Sequence, residues 1–81
     1  ISQEQNTGGL KVYPNPANER LLLKWDAASD NTFFRLTNMM GETLKTTTYP
    51  EIDVRDLPDG IYFITATSSD KRVSSKFIVR H

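Results

Sequence analysis

Apolar and polar residues alternate along most of this chain with a period of two, and the alternation stops wherever Pro, Gly, Asn or Asp cluster. A period of two sends successive side chains to opposite faces of an extended backbone, so the pattern predicts strands rather than helices. Leu10–Tyr13 is the first predicted strand. Arg20–Trp25 follows, with Leu21, Leu23 and Trp25 on one side and Leu22 and Lys24 on the other. In Thr32–Asn38, Phe34 and Leu36 share a face, and Phe33, Arg35 and Thr37 take the opposite one. Thr43–Thr48 is rich in β-branched residues, which favour strands. Glu51–Val54 points Ile52 and Val54 inward and Asp53 to water. Ile61–Thr67 is the most strand-like run, with Tyr62, Ile64 and Ala66 predicted as core. Arg72–Val79 closes the set, with Val73, Ser75, Phe77 and Val79 on one face.

The breaks are as informative as the runs. Pro14-Asn15-Pro16 removes two backbone donors and fixes two φ angles, which predicts a sharp, rigid turn. Met39-Met40-Gly41-Glu42 reads as a hairpin turn with Gly41 at positive φ. Leu57-Pro58-Asp59-Gly60 is a turn signal running directly into the strongest strand, the stretch around which the rest of the chain organises. Asp26–Asn31 is loop-like, and Ser68–Lys71 is a turn cluster.

Short strands separated by regular turns predict an all-β fold, a seven-stranded antiparallel immunoglobulin-like β-sandwich. A small β-barrel is the competing architecture, and periodicity alone does not separate the two. Tyr62 lies near the start of the sixth predicted strand, where such sandwiches place a corner tyrosine. Its hydroxyl is then expected to bond backbone a few residues upstream, near Asp59.

The chain has 81 residues, enough for one small domain, and no cysteine to staple it. Stability must come from the large apolar residues Trp25, Phe33, Phe34, Leu36, Ile64 and Phe77. Residues 1–9 are polar, end in Gly8-Gly9 and read as a flexible linker ahead of a domain over 10–81. The first residue is Ile1 rather than Met, which suggests a fragment or a processed product. Ten basic and ten acidic residues cancel, with no basic stripe interleaved with aromatics, so nucleic acid is not an expected partner. No apolar run approaches the roughly 20 residues of a membrane helix.

Catalytic chemistry finds little to stand on. The single histidine, His81, is expected to be a solvated tail residue, poorly placed for a Ser-His-Asp arrangement. No phosphate-binding Gly loop is present. Glu51, Asp53, Asp56 and Asp59 are the one carboxylate cluster, but their spacing matches no calcium loop, and no cofactor or metal is assigned. Tyr13, Trp25, Phe33, Tyr49 and Phe63 would form a sugar-stacking platform if several lay on one face. Alternation points Phe33 and Phe63 away from the main core, which suggests a partner surface or cover by an edge or linker. Lys76-Phe77-Ile78-Val79-Arg80 is an apolar block flanked by cations at the end of the sequence. It reads either as an ordinary last strand or as a docking strand read through backbone pairing and charge.

Several motifs occur together in one order. Val12-Tyr13-Pro14-Asn15-Pro16-Ala17, Leu36 through Glu42 with Gly41, Ile52-Asp53-Val54 with Leu57, Gly60, Ile61 and Tyr62, and Lys76 through Arg80 span Leu10 to His81. This series resembles the C-terminal sorting domain of the type IX (Por) secretion system, type A. The resemblance implies a seven-stranded immunoglobulin-like sandwich without enzymatic activity of its own. It implies partners in the outer-membrane translocon and its shuttle and sortase proteins, which would read Lys76, Phe77, Ile78, Val79 and Arg80. The motif residues Pro14, Asn15, Pro16, Gly41, Leu57, Gly60 and Tyr62 would hold the fold. The resemblance further implies passage through the periplasm to the cell surface or medium. A sortase would often cut ahead of the domain and join the cargo to anionic lipopolysaccharide. The alternative is a retained carbohydrate- or lipopolysaccharide-binding adhesion module. A terminal strand at a sheet edge also makes a strand-exchanged homodimer an expected state.

Overall fold

The computed structural model describes residues 5–26, 28 and 31–81. The expected linker at Ile1–Glu4 and three positions of the expected loop, 27, 29 and 30, lie outside the described residues. Eight strands follow in order: β1 (Gln5–Thr7), β2 (Leu10–Tyr13), β3 (Arg20–Trp25), β4 (Phe33–Thr37), β5 (Thr43–Thr47), β6 (Glu51–Asp53), β7 (Gly60–Thr67) and β8 (Arg72–Val79). The described residues contain no helix.

Two four-stranded antiparallel sheets result, β1-β2-β3-β6 and β5-β4-β7-β8. All the strands expected from alternation are present. The addition is β1, which lies in the stretch that composition assigns to a linker. Gln5 pairs with Val12 and Thr7 with Leu10 across a turn in which Gly8 and Gly9 have φ of +56° and +82°. Its residues carry no hydrophobic alternation, so pairing with β2 rather than side-chain pattern defines it.

The inward faces of both sheets form one core. Leu10, Val12, Leu21, Leu23, Trp25 and Ile52 come from the first sheet, and Phe34, Leu36, Tyr62, Ile64, Ala66, Phe77 and Val79 from the second. Removing each large side chain from water stabilises the fold by about 1.5–3 kcal/mol, which lets a chain without disulfides hold together. Val54 and Leu57, just beyond β6, complete the core. Ser75 falls on the inward face of β8 and is buried, as its register opposite Ile64 requires.

The edges are handled differently. β5 is threonine-rich and irregular, with a register shift at Leu36/Thr37 that leaves Leu44 outside the regular pairing. Lys45 of β5 reaches across to the end of β6, donating to the Asp53 carbonyl and pairing with Asp56 at 2.7 Å. That bridge joins the two sheets along one side. On the other side, the outer edge of β8 is covered by the segment that follows β2.

Candidate functional site

The turn after β2 reaches the last strand. Asn15 Oδ1 accepts the Ile78 backbone N–H at 3.0 Å. The Ala17 N–H donates to the Ile78 carbonyl at 2.8 Å, and the Arg80 N–H donates to the Ala17 carbonyl at 2.9 Å. Ala17 thereby forms a parallel bridge with Val79 and is fully buried. The peptide bonds before Pro14 and Pro16 are both cis. Two prolines around one asparagine direct its amide oxygen at a strand that follows more than sixty residues later.

The turn ahead of β7 grips the same strand from its other side. The Tyr62 hydroxyl donates to the Pro58 carbonyl at 2.6 Å, so the corner bond expected near Asp59 is made one residue earlier. The Tyr62 ring stacks on Phe77 with centroids 5.9 Å apart. Asp59 Oδ1 accepts the His81 N–H at 3.0 Å, and His81 Nε2 donates to the Leu57 carbonyl at 2.9 Å. His81 is exposed, as expected, but it is not a free tail. Its ring and its backbone are both tied to the Leu57–Asp59 turn, whose free acceptors lie directly beside the end of β8.

The central hairpin stands at the same pole. Gly41 has φ of +85°, as expected. Asn38 organises the turn: its Oδ1 accepts the Met40 and Glu42 N–H groups at 2.9 and 3.0 Å, and its Nδ2 donates to Glu42 Oε1 at 3.0 Å. The pairings Tyr13 with Leu22, Thr37 with Phe63 and Gly60 with Val79 place all these turns at one end of the sandwich. The Pro14–Ala17 and Leu57–Tyr62 motifs thus converge on the end of β8, and the Gly41 hairpin stands at the same pole on the far side of β7.

The residues expected to be read by a partner divide in two. Phe77 and Val79 are 0% and 1% exposed, inside the core. Lys76 and Arg80 are exposed and Ile78 is half-buried on the outer face. Among the fold-holding residues, Leu57 and Tyr62 are buried, Pro14, Asn15 and Gly60 are half-buried, and Pro16 and Gly41 are exposed.

The carboxylates do not gather. Glu51 pairs with Arg20 at 2.8 Å, Asp53 with Arg55 at 2.8 Å and Asp56 with Lys45 at 2.7 Å, while Asp59 holds the His81 N–H. The Arg55 guanidinium and backbone N–H hold the Asp53 carboxyl far below the usual carboxylate range, and Asp53 in turn raises Arg55. The Lys45 ammonium lowers Asp56. The sugar platform is also divided. Trp25 is in the core, Tyr13 belongs to the first sheet, and Tyr49 is 74% exposed in the β5–β6 connection. Only Phe33 and Phe63 share a face, the outer face of β4 and β7, where alternation put them.

Comparison with known families matches residues 11–80 to the secretion system C-terminal sorting domain. The chain belongs to this family. Sorting domains of the type IX system direct the protein that carries them across the outer membrane, to the cell surface or the medium, through interaction with the secretion machinery. No curated protein matches this chain. The matched span includes the Pro14–Ala17 segment, the hairpin at Gly41, the Tyr62 corner and the strand through Arg80. In this sorting domain those parts meet at one pole.

Sequence reasoning missed the tie from Asn15 and Ala17 to β8, the double attachment of His81, and the Lys45 bridge. The Asn15 tie had one signal, an acceptor side chain fixed between two prolines, but nothing in the sequence names its partner.

Proposed function

We propose that this sorting domain is a noncatalytic label read in its folded form, through the outward residues Lys76, Ile78 and Arg80 at the motif pole. The observation that carries the reading is the division of the last strand. Phe77 and Val79 are in the core, so the block contributes to recognition by holding a strand whose alternate side chains face outward. The type IX translocon, with its shuttle and sortase proteins, is the reader. Cargo travels through the periplasm, is cut ahead of the domain by a sortase and is joined to anionic lipopolysaccharide at the surface.

An immunoglobulin-type sandwich is part of the proposal. Its support is the sheet order β5-β4-β7-β8 against β2-β3-β6, together with a corner tyrosine at the start of β7. A linker over residues 1–9 ahead of a domain over 10–81 also belongs to it, with Gln5–Thr7 of that stretch laid along β2 as β1. So does a strand-exchanged dimer, in which β8, the last strand of its sheet, would have to leave both β7 and the Asn15–Ala17 segment that covers its outer edge, and which light scattering checks. The carbohydrate-binding alternative has less support, because only two of its aromatics share a face.

Deleting Lys76–His81 is a poor test, since it empties the core of Phe77 and Val79 and confounds folding with recognition. The better test places the whole domain behind a reporter in a host with a type IX system and changes Lys76→Glu and Arg80→Glu together. Thermal melting of the purified variant should stay within about 0.5 kcal/mol of the parent, as for other surface substitutions. Surface display of the reporter should fall. Normal display by the folded variant would remove the outward residues of β8 from the reading.

A further inference from the structure

The four strands of the β5-β4-β7-β8 sheet contain no aspartate or glutamate. The other sheet carries Glu51 and Asp53. That sheet also carries Lys11, Arg20 and Lys24, and most of the chain's other carboxylates lie in turns and connections, so only the β5-β4-β7-β8 strands are of one sign. The cross-strand register maps the outer face row by row. Lys76 lies beside Phe63, which lies beside Thr37. In the next row Ser74, Thr65 and Arg35 are neighbours, and in the row after that Arg72, Thr67 and Phe33. Ile78 and Ile61 form the row toward the motif pole, with Arg80 beyond. Arg35, Arg72, Lys76 and Arg80 thus share one face with two phenylalanines and two isoleucines.

The hydroxyls of that face are not idle. Thr65 Oγ1 and Ser74 Oγ bond each other at 2.8 Å. Arg35 differs: its Nε is buried and has no hydrogen-bond partner among the described residues. A guanidinium donor shielded from water without an acceptor costs free energy until one is supplied. Exposed apolar side chains continue the face at the pole, where Met39 and Met40 are 69% and 85% exposed and Ile61 is 38% exposed. Methionines and isoleucines offer nothing to a sugar hydroxyl, but they suit an apolar protein contact.

We infer that the outer face of the β5-β4-β7-β8 sheet is a docking surface for a protein partner whose own surface presents carboxylates around an apolar centre. The inference rests on the sorting reading and extends it from the end of β8 to a whole sheet face. Arginine is a frequent anchor at such interfaces, and phenylalanine is enriched in them. A one-signed face also speeds encounter with an oppositely charged partner and rejects like-charged ones.

The test uses the whole chain behind the reporter, with Arg72→Glu and Arg35→Glu as separate variants and Lys11→Glu/Lys24→Glu as a control on the other sheet. Lys76 and Arg80 stay unchanged. Arg72 is exposed, so its variant stays interpretable if Arg35→Glu does not fold. The expected result is a fall of about tenfold in surface reporter for Arg72→Glu, equal to about 1.4 kcal/mol of binding, with an unchanged melt and normal display of the control. A reporter lacking residues 5–81 separates the two levels. Display without the domain overturns the sorting reading itself. Display that needs the domain but ignores Arg72→Glu overturns the docking face alone. Titration with dextran sulfate gives the remaining arm. Saturable micromolar binding that Arg72→Glu abolishes would assign the face to a polyanionic polysaccharide and overturn the protein partner.

Discussion

Asn15 and Ile78 are 63 residues apart in sequence and joined by a 3.0 Å hydrogen bond from the Ile78 N–H to the Asn15 amide oxygen. That bond, with the two made by Ala17, occupies the outer edge of β8 at the place where a partner would add a strand. Backbone addition at Ile78 therefore requires the Pro14–Ala17 turn to leave. Asn15→Ala should remove the acceptor from a half-buried N–H and cost about 1–2 kcal/mol. The check is thermal melting combined with hydrogen exchange. The Ile78 amide should exchange faster in the variant while the β4 amides follow only the change in global stability.

The corner hydroxyl is a separate lever. Tyr62→Phe keeps the ring on Phe77 and removes only the bond to the Pro58 carbonyl. The expected loss is about 1 kcal/mol, the net worth of one such bond, with the denaturant slope unchanged. An unaltered midpoint would show that the hydroxyl contributes nothing there.

Gly41 makes a third case. An added Cβ at this position has no atom within 4 Å, so space is not the limit. Its φ of +85° is the limit, because an L residue with a side chain resists that conformation by roughly 1–2 kcal/mol. Gly41→Ala should lower stability by that amount, read from the denaturation midpoint. Gly41→Asn should cost less, since asparagine tolerates positive φ better than alanine.

Acid should weaken the domain through Asp53 and Asp56. Both carboxyls are held below their ordinary values by Arg55 and Lys45 respectively. A group whose folded pKa is depressed binds its proton more readily in the unfolded chain. Its contribution is therefore complete above about pH 4 and is lost as pH falls through the folded value. Stability against urea should be flat from neutral pH to about 5 and decline below 4. Lys45→Met should shallow the part of that decline due to Asp56, and added salt should reduce the effect because these pairs are exposed.

Much of the fold was legible because alternation is a local signal. Leu21, Leu23 and Trp25 announce their face within six residues of one another, and the structure places all three in the core. Tyr62 was legible because its hydroxyl partner is four residues away. The motif pole was not legible in the sequence, since Asn15, Tyr62 and Arg80 are brought to one end by long-range pairing and the Gly41 hairpin stands there only through the register of β4. β1 escaped because Gln5–Thr7 is polar, and its identity as a strand depends on Leu10–Val12 across the turn. His81 escaped for a related reason. Its acceptors, Leu57 O and Asp59, become a binding edge only after β7 has folded beside β8. The missing carboxylates could be counted in the sequence, but they became a face only once β4, β5, β7 and β8 were known to be neighbours.

The stitch between Ala17 and Val79 orders events during synthesis. A ribosome that stalls before residue 77 releases a polypeptide in which the early turn has nothing to clasp and Tyr62 has no ring to lie on. Such a product cannot display the finished pole, however much of its passenger has been made. The finished pole is thus carried only by polypeptides translated through β8.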